Sequence, residues 1–132
     1  MSADLVRRYY DAFNAKDTPA MLACLHPEVT HHVNEGEVRV GHERFAAFCA
    51  HMARCYDETL SDVVILSAPD APGRFAAEFT VTGTYLSTDG DLPAARGQTY
   101  VLPAGAFLTV DGGAIVRLVT YYNLADWLRQ VA

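Results

Sequence analysis

The residue types best suited to proton chemistry gather in one short segment, His31-His32-Val33-Asn34-Glu35, set in otherwise apolar surroundings. Imidazole titrates near neutral pH and a neighbouring carboxylate can fix its tautomer, so a pocket histidine beside Glu35 makes a natural general base. Side chains alternate along a strand. A strand starting at Val29 therefore places either His31 or His32 inside, with Asn34 on the side of His32. The same alternation argues against a metal site built from His31, His32 and Glu35, because adjacent strand residues point oppositely. The plain alternative is that one histidine meets solvent while the other hydrogen-bonds the backbone. Tyr9, Tyr85, Tyr100, Tyr121 and Tyr122 offer phenolic donors to a carbonyl or epoxide oxygen, although tyrosines at such positions commonly just pack. Asn123 either orients a ligand or caps the helix that follows it. The sequence holds no glycine-rich nucleotide loop, no Ser-His-Asp arrangement and no cysteine paired with a base.

These residues need a scaffold, and periodicity supplies one. Leu5, Val6, Tyr9, Tyr10 and Phe13 recur at helical spacing from about Ala3 to Ala15. Thr18-Pro19 suits the start of a short second helix, which His26-Pro27-Glu28 ends. A strand from Val29 to about Val33 follows. Gly41 then precedes the longest helix, His42 to about Tyr56, with Phe45, Phe48, Cys49, Met52 and Tyr56 as its apolar stripe and His42 and His51 as flanking residues. Beyond Asp57 the period changes to two, giving strands at Thr59–Ser67 and Arg74–Leu86. Thr80, Thr82 and Thr84 make one face of the latter, fit for solvent or another subunit. The stretch Gly97–Asn123 reads as a hairpin turning at Asp111-Gly112-Gly113, where glycines supply positive φ. Its first strand is apolar on both alternations, which suggests burial on both faces, and Pro103 with Gly105 suggests a bulge or sharp bend. Leu124–Val131 closes the chain as a short helix carrying Trp127. The expected fold is α+β, with three N-terminal helices packed on a strongly curved, mainly antiparallel sheet and a short C-terminal helix.

Composition narrows the function. The 132 residues suit a single domain, and 51% hydrophobic against 20% charged residues is an ordinary globular balance. A formal charge of -6 with no Lys/Arg cluster argues against nucleic acid. No apolar run is long enough to cross a bilayer and no signal-peptide pattern opens the sequence, so the expected location is cytoplasmic and no membrane partner is expected. Cys24, Cys49 and Cys55 are read as three reduced, packed thiols.

The runs VRRYYDAFNAKDTPAMLACLHPEVTHHV, HHVNEG, ARGQTYVLPAGAF and AIVRLVTYYNLADWLRQV resemble the nuclear-transport-factor-2-like superfamily, in its ketosteroid-isomerase-like and SnoaL-like polyketide cyclase branch. The resemblance covers nearly the whole chain and implies a cone-shaped α+β barrel with a deep apolar pocket, usually as a homodimer. It places the isomerase's oxyanion-donating tyrosine at Tyr9. The positions of its catalytic aspartate and its neutral acid fall near Val33 and Gly105, so both carboxylates are missing and that mechanism cannot run unchanged. The acid that the cyclase branch keeps at the end of its last strand falls on Asn123.

Two readings follow. In one, the chain is a cofactor-free isomerase, cyclase or hydrolase acting by acid–base chemistry on a small apolar carbonyl or cyclic compound. His31 or His32 is then the base, Tyr9 and Asn34 are its hydrogen-bond partners, and Glu35, Tyr85, Tyr100, Tyr121, Asn123 and Trp127 contact the substrate. In the other, it is a non-catalytic small-molecule-binding or dimerisation domain.

Overall fold

The computed structural model describes residues 2–132. Helix α1, Ser2–Asn14, buries Leu5, Val6, Tyr9, Tyr10 and Ala12, a stripe spaced three and four residues apart. Helix α2, Thr18–Ala23, starts at Thr18-Pro19 as expected and is capped by Asp17. The Asp17 side chain accepts from the Ala20 amide at 3.1 Å. Strand β1, Leu25–Val33, begins four residues earlier than the sequence suggests. Pro27 does not end a helix there. It sits where the pairing of β1 with its neighbour is interrupted, between Leu25 and Thr30, so its missing N–H breaks no ladder bond.

A two-residue strand, β2, Arg39–Val40, pairs antiparallel with β1 and precedes helix α3, His42–Cys55. Strands β3 (Tyr56–Ser67), β4 (Arg74–Tyr85), β5 (Thr99–Asp111) and β6 (Ala114–Tyr122) follow, and helix α4, Leu124–Val131, closes the chain. The six-stranded sheet has the order β2-β1-β6-β5-β4-β3. Among the described residues only β1 and β6 run parallel; the other pairs are antiparallel. The architecture is thus the expected α+β one, a curved sheet with helices on its concave side.

Strand β4 alternates buried and exposed along its length, with Phe75, Ala77, Phe79, Val81 and Tyr85 facing the core. Strand β5 does the same, contrary to the expectation of burial on both faces. Tyr100, Leu102, Ala106, Leu108 and Val110 are buried, whereas Val101 and Phe107 are exposed on the convex face. Nor is there a bulge at Pro103 or Gly105. The β4·β5 register runs unbroken from Arg74↔Thr109 to Thr84↔Thr99. Pro103 is tolerated because β5 pairs with β6 only from Ala104 onward, so the proline lies just past that ladder. The hairpin turn is as expected: Gly112 and Gly113 have φ of 59° and 81° between the paired Asp111 and Ala114.

Candidate functional site

Helices α1 to α3 cover the concave sheet without filling it. The space left is a cavity of about 530 Å³, within the ordinary range for a small-molecule site. Much of its wall is apolar and aromatic, including Phe13, Phe45, Phe48, Phe79, Val81 and Leu102. This explains why Phe48, Cys49 and Met52, which read as a core stripe on α3, are only half-buried. They face the cavity.

Three of the polar clusters on the wall bear on chemistry. The first is His31, which β1 turns inward. It is 3% exposed, meets the rings of Phe45 and Phe48 edge-on at 5.0 and 4.8 Å, and has a buried Nδ1 with no hydrogen-bond partner. Burial, then the Arg39 guanidinium and then His32 lower its pKa from the ordinary 6.5 to about 4. The ring is therefore neutral at physiological pH. Directly across the β1·β2 pair stands Arg39, whose guanidinium carbon lies 4.3 Å from the centroid of the Phe48 ring. Tyr9 also lines the cavity, 6.4 Å from Phe45 between ring centroids, so Tyr9 and His31 flank the same ring. Burial raises the Tyr9 pKa well above its usual value, keeping the phenol a hydrogen-bond donor.

The second group is His51, Asp89 and Tyr56. His51 Nε2 lies 2.8 Å from Asp89 Oδ1, and the Tyr56 hydroxyl donates to Asp89 Oδ2 at 2.6 Å. Cys55 Sγ brings a thiol to this cluster, all three donor types lying within 4.8 Å of one another. These are metal-ligand types, but the imidazole nitrogen and a carboxylate oxygen are already joined directly, and the other oxygen holds Tyr56. The third group is Glu58, which accepts from the Tyr100 hydroxyl at 2.6 Å. Burial raises its pKa, against the opposing effects of that hydrogen bond and of Lys16.

The remaining sequence candidates fall elsewhere. His32 lies on the opposite face of β1, opposite Val119 of β6. Asn34 has φ of 49°, and its Oδ1 accepts from the Tyr122 amide at 2.9 Å, tying the end of β1 to β6. With Glu35, Tyr121 and Asn123 it lines a separate depression, and Tyr122 is the one residue shared with the cavity. Asn123 caps α4, accepting from the Asp126 amide at 3.1 Å. Tyr85 is fully buried, its hydroxyl donating to the Pro93 carbonyl at 2.7 Å and accepting from the Asp89 amide at 2.9 Å. Tyr100 is buried and held by Glu58. Trp127 does line the cavity, edge-on to Tyr56, Tyr85 and Tyr100. His42 holds the Leu25 carbonyl at 2.8 Å, a structural role.

Arg39, His51 and Asp89 were not legible as site residues. Arg39 is flanked by Val38 and Val40, and the apolar pair is exposed while the arginine turns in, the reverse of the usual pattern. Asp89 lies in a loop 38 residues from His51, a separation that periodicity does not bridge.

Residues 6–118 match the SnoaL-like domain. No curated protein matches the chain. Among solved structures, a provisionally assigned polyketide cyclase from Silicibacter sp. TM1040 is 60% identical, over 99% of this chain and 95% of that one, with a TM-score of 0.96. Another from Pseudomonas putida KT2440 is 54% identical, over 100% and 98%, also at 0.96. An NTF2-like protein of unknown function from Burkholderia pseudomallei K96243 shares the fold at 21% identity, over 99% and 97%, with a TM-score of 0.83. No helix among the described residues is long and apolar enough to cross a membrane.

Proposed function

The chain belongs to the SnoaL-like domain family, and we propose that its cavity is the active site of a cofactor-independent enzyme that moves a proton on a small, largely apolar carbonyl or cyclic compound, in an isomerisation, cyclisation or hydrolysis. The observation that carries this reading is His31: a buried imidazole with an unengaged nitrogen, on the wall of an apolar cavity that also holds Tyr9. A neutral imidazole can accept a proton from carbon or water, and a phenol can donate to the oxygen on which negative charge then develops. The aromatic wall excludes water, which strengthens both interactions. Asn34 and Asn123, in this reading, hold the backbone around the site and do not touch the substrate.

One observation favours a second reading, a non-catalytic ligand-binding domain: as the protein's own side chains set it, His31 is a weak base. Deuterium exchange separates the two. With 2-tetralone in D2O, the wild-type protein is expected to accelerate α-proton exchange, and His31→Gln to lose on the order of 100-fold of that acceleration, the usual contribution of a positioned base. Tyr9→Phe should lose less. Binding without accelerated exchange, across a panel of apolar ketones and esters, would establish the second reading.

We also propose that the convex face pairs with a second copy of the chain. Val101, Phe107 and Tyr121 are 56%, 51% and 48% exposed there, and Thr80, Thr82 and Thr84 continue the same face. Phe107 and Tyr121 pack edge-on there with ring centroids 6.0 Å apart, so their exposed apolar surface is contiguous and open to a partner.

A further inference from the structure

The cavity wall includes four side chains of formal charge, Lys16, Arg39, Glu58 and Asp89. Three of them are answered within the protein. Lys16 pairs with Asp57 at 3.0 Å and donates to the Glu58 carbonyl at 2.6 Å. The Glu58 carboxylate accepts from Tyr100, and Asp89 is held by His51 and Tyr56. Arg39 is not answered: it has no hydrogen bond or ion pair among the described residues, and its Nη1 is buried without a partner. The acids nearest in sequence are engaged or placed elsewhere, Glu37 on Arg44 at 3.0 Å and Glu35 in the separate depression. A buried guanidinium N–H without an acceptor is costly, and an arginine fork matches a carboxylate well.

Arg39 and His31 are direct cross-strand partners on one face of the sheet, and both pack on the ring of Phe48. The corner they form pairs an unanswered cation with an imidazole that is also unpartnered, in a chain of net charge -6. We infer that this corner recognises an anion, and that the substrate is a carboxylate on an apolar ring system, its carboxylate on Arg39 and its rings against the aromatic wall. This rests on reading the cavity as the substrate site and names the class of molecule it takes.

The arrangement also couples binding to basicity. Arg39 is one of the causes that depress proton affinity at His31. An anion on Arg39 offsets that contribution, so the bound carboxylate makes the adjacent ring a better proton acceptor. A neutral ligand of the same shape would leave Arg39 unanswered and His31 weak.

The test compares 2-naphthoate with 2-acetylnaphthalene, a neutral molecule of similar shape, by calorimetry on the full chain near neutral pH, while the His31 ring signals are followed by NMR. The naphthoate is expected to bind at least tenfold tighter and to shift the His31 signals. Arg39→Met should abolish the preference, and Arg39→Lys should keep part of it. Equal or tighter binding of the ketone would overturn the anion corner while leaving the cavity reading standing. If neither compound binds, both fall. Naphthoate binding that leaves the His31 signals unmoved, or that survives Arg39→Met in a folded variant, would overturn the placement. Should Arg39→Met fail to fold, the ratio measured on the wild-type protein still decides.

Discussion

His31 makes the protein acid-labile in a defined window, and the size of the effect follows from its surroundings. In the unfolded chain an imidazole takes up its proton near pH 6.5; in the folded chain burial, Arg39 and His32 postpone uptake to about 4. Between those values the unfolded state binds more protons, so stability falls as pH falls; above 6.5 and below 4 the group contributes no slope. At about 1.4 kcal/mol per pH unit, moving uptake from 6.5 to about 4 is worth about 3 kcal/mol. Charged neighbours do not obscure this reading. An arginine keeps its charge throughout this range, and α3 packs the uncharged rings of Phe45 and Phe48 against the imidazole. Urea unfolding of the wild type and of His31→Phe, at pH values from about 7.5 down to about 4.5, isolates the contribution. The variant should lose stability less steeply, closing a gap of about 2 to 3 kcal/mol by the acid end. Parallel pH profiles for the two proteins would mean that the ring charges freely in the folded state, contrary to its burial.

Gly83→Ala should destabilise the protein by about 1 to 3 kcal/mol, because a Cβ there would collide with the ring of Tyr100, itself fixed by Glu58; unchanged urea unfolding would show that the β4·β5 face is looser than described. Asn34→Ala should cost about 1 to 3 kcal/mol, through the lost acceptor for the Tyr122 amide, with strain added at φ of 49°. Asn34→Gly, which relieves that strain, should cost less. Sedimentation should give the mass of a dimer, and Phe107→Glu should shift it toward a monomer; a monomeric wild type would refute pairing through the convex face.

The helices and the hairpin were legible because their signals are local. Leu5, Val6, Tyr9 and Tyr10 announce α1 by spacing, Phe75 to Tyr85 announce β4 by alternation, and Gly112-Gly113 marks the turn. What failed were signals that depend on partners. Pro27 looks like a terminator until β1 is seen to leave its ladder there, and β2, at two residues, is too short to show a period. Val101 and Phe107 look like core because apolar residues exposed on the convex face and apolar residues inside are the same types. The site had the same problem. Residues lining an apolar cavity look like a packed core, so Phe48 and Met52 gave no hint of a void. The His31/His32 alternation left two choices, and the structure turns His31 inward. Arg39 stayed hidden between two valines, and Asp89 in a loop whose meeting with His51 only the fold creates.

His31 is a neutral, shielded imidazole on the wall of the cavity. Titration of the histidine ring signals by NMR tests it most directly, with and without 2-naphthoate. One ring, assigned to His31 through its loss in His31→Gln, should stay neutral down to a midpoint near 4 and should titrate at higher pH with the ligand bound. A His31 ring that titrates near the ordinary 6.5 and ignores the ligand would contradict the claim.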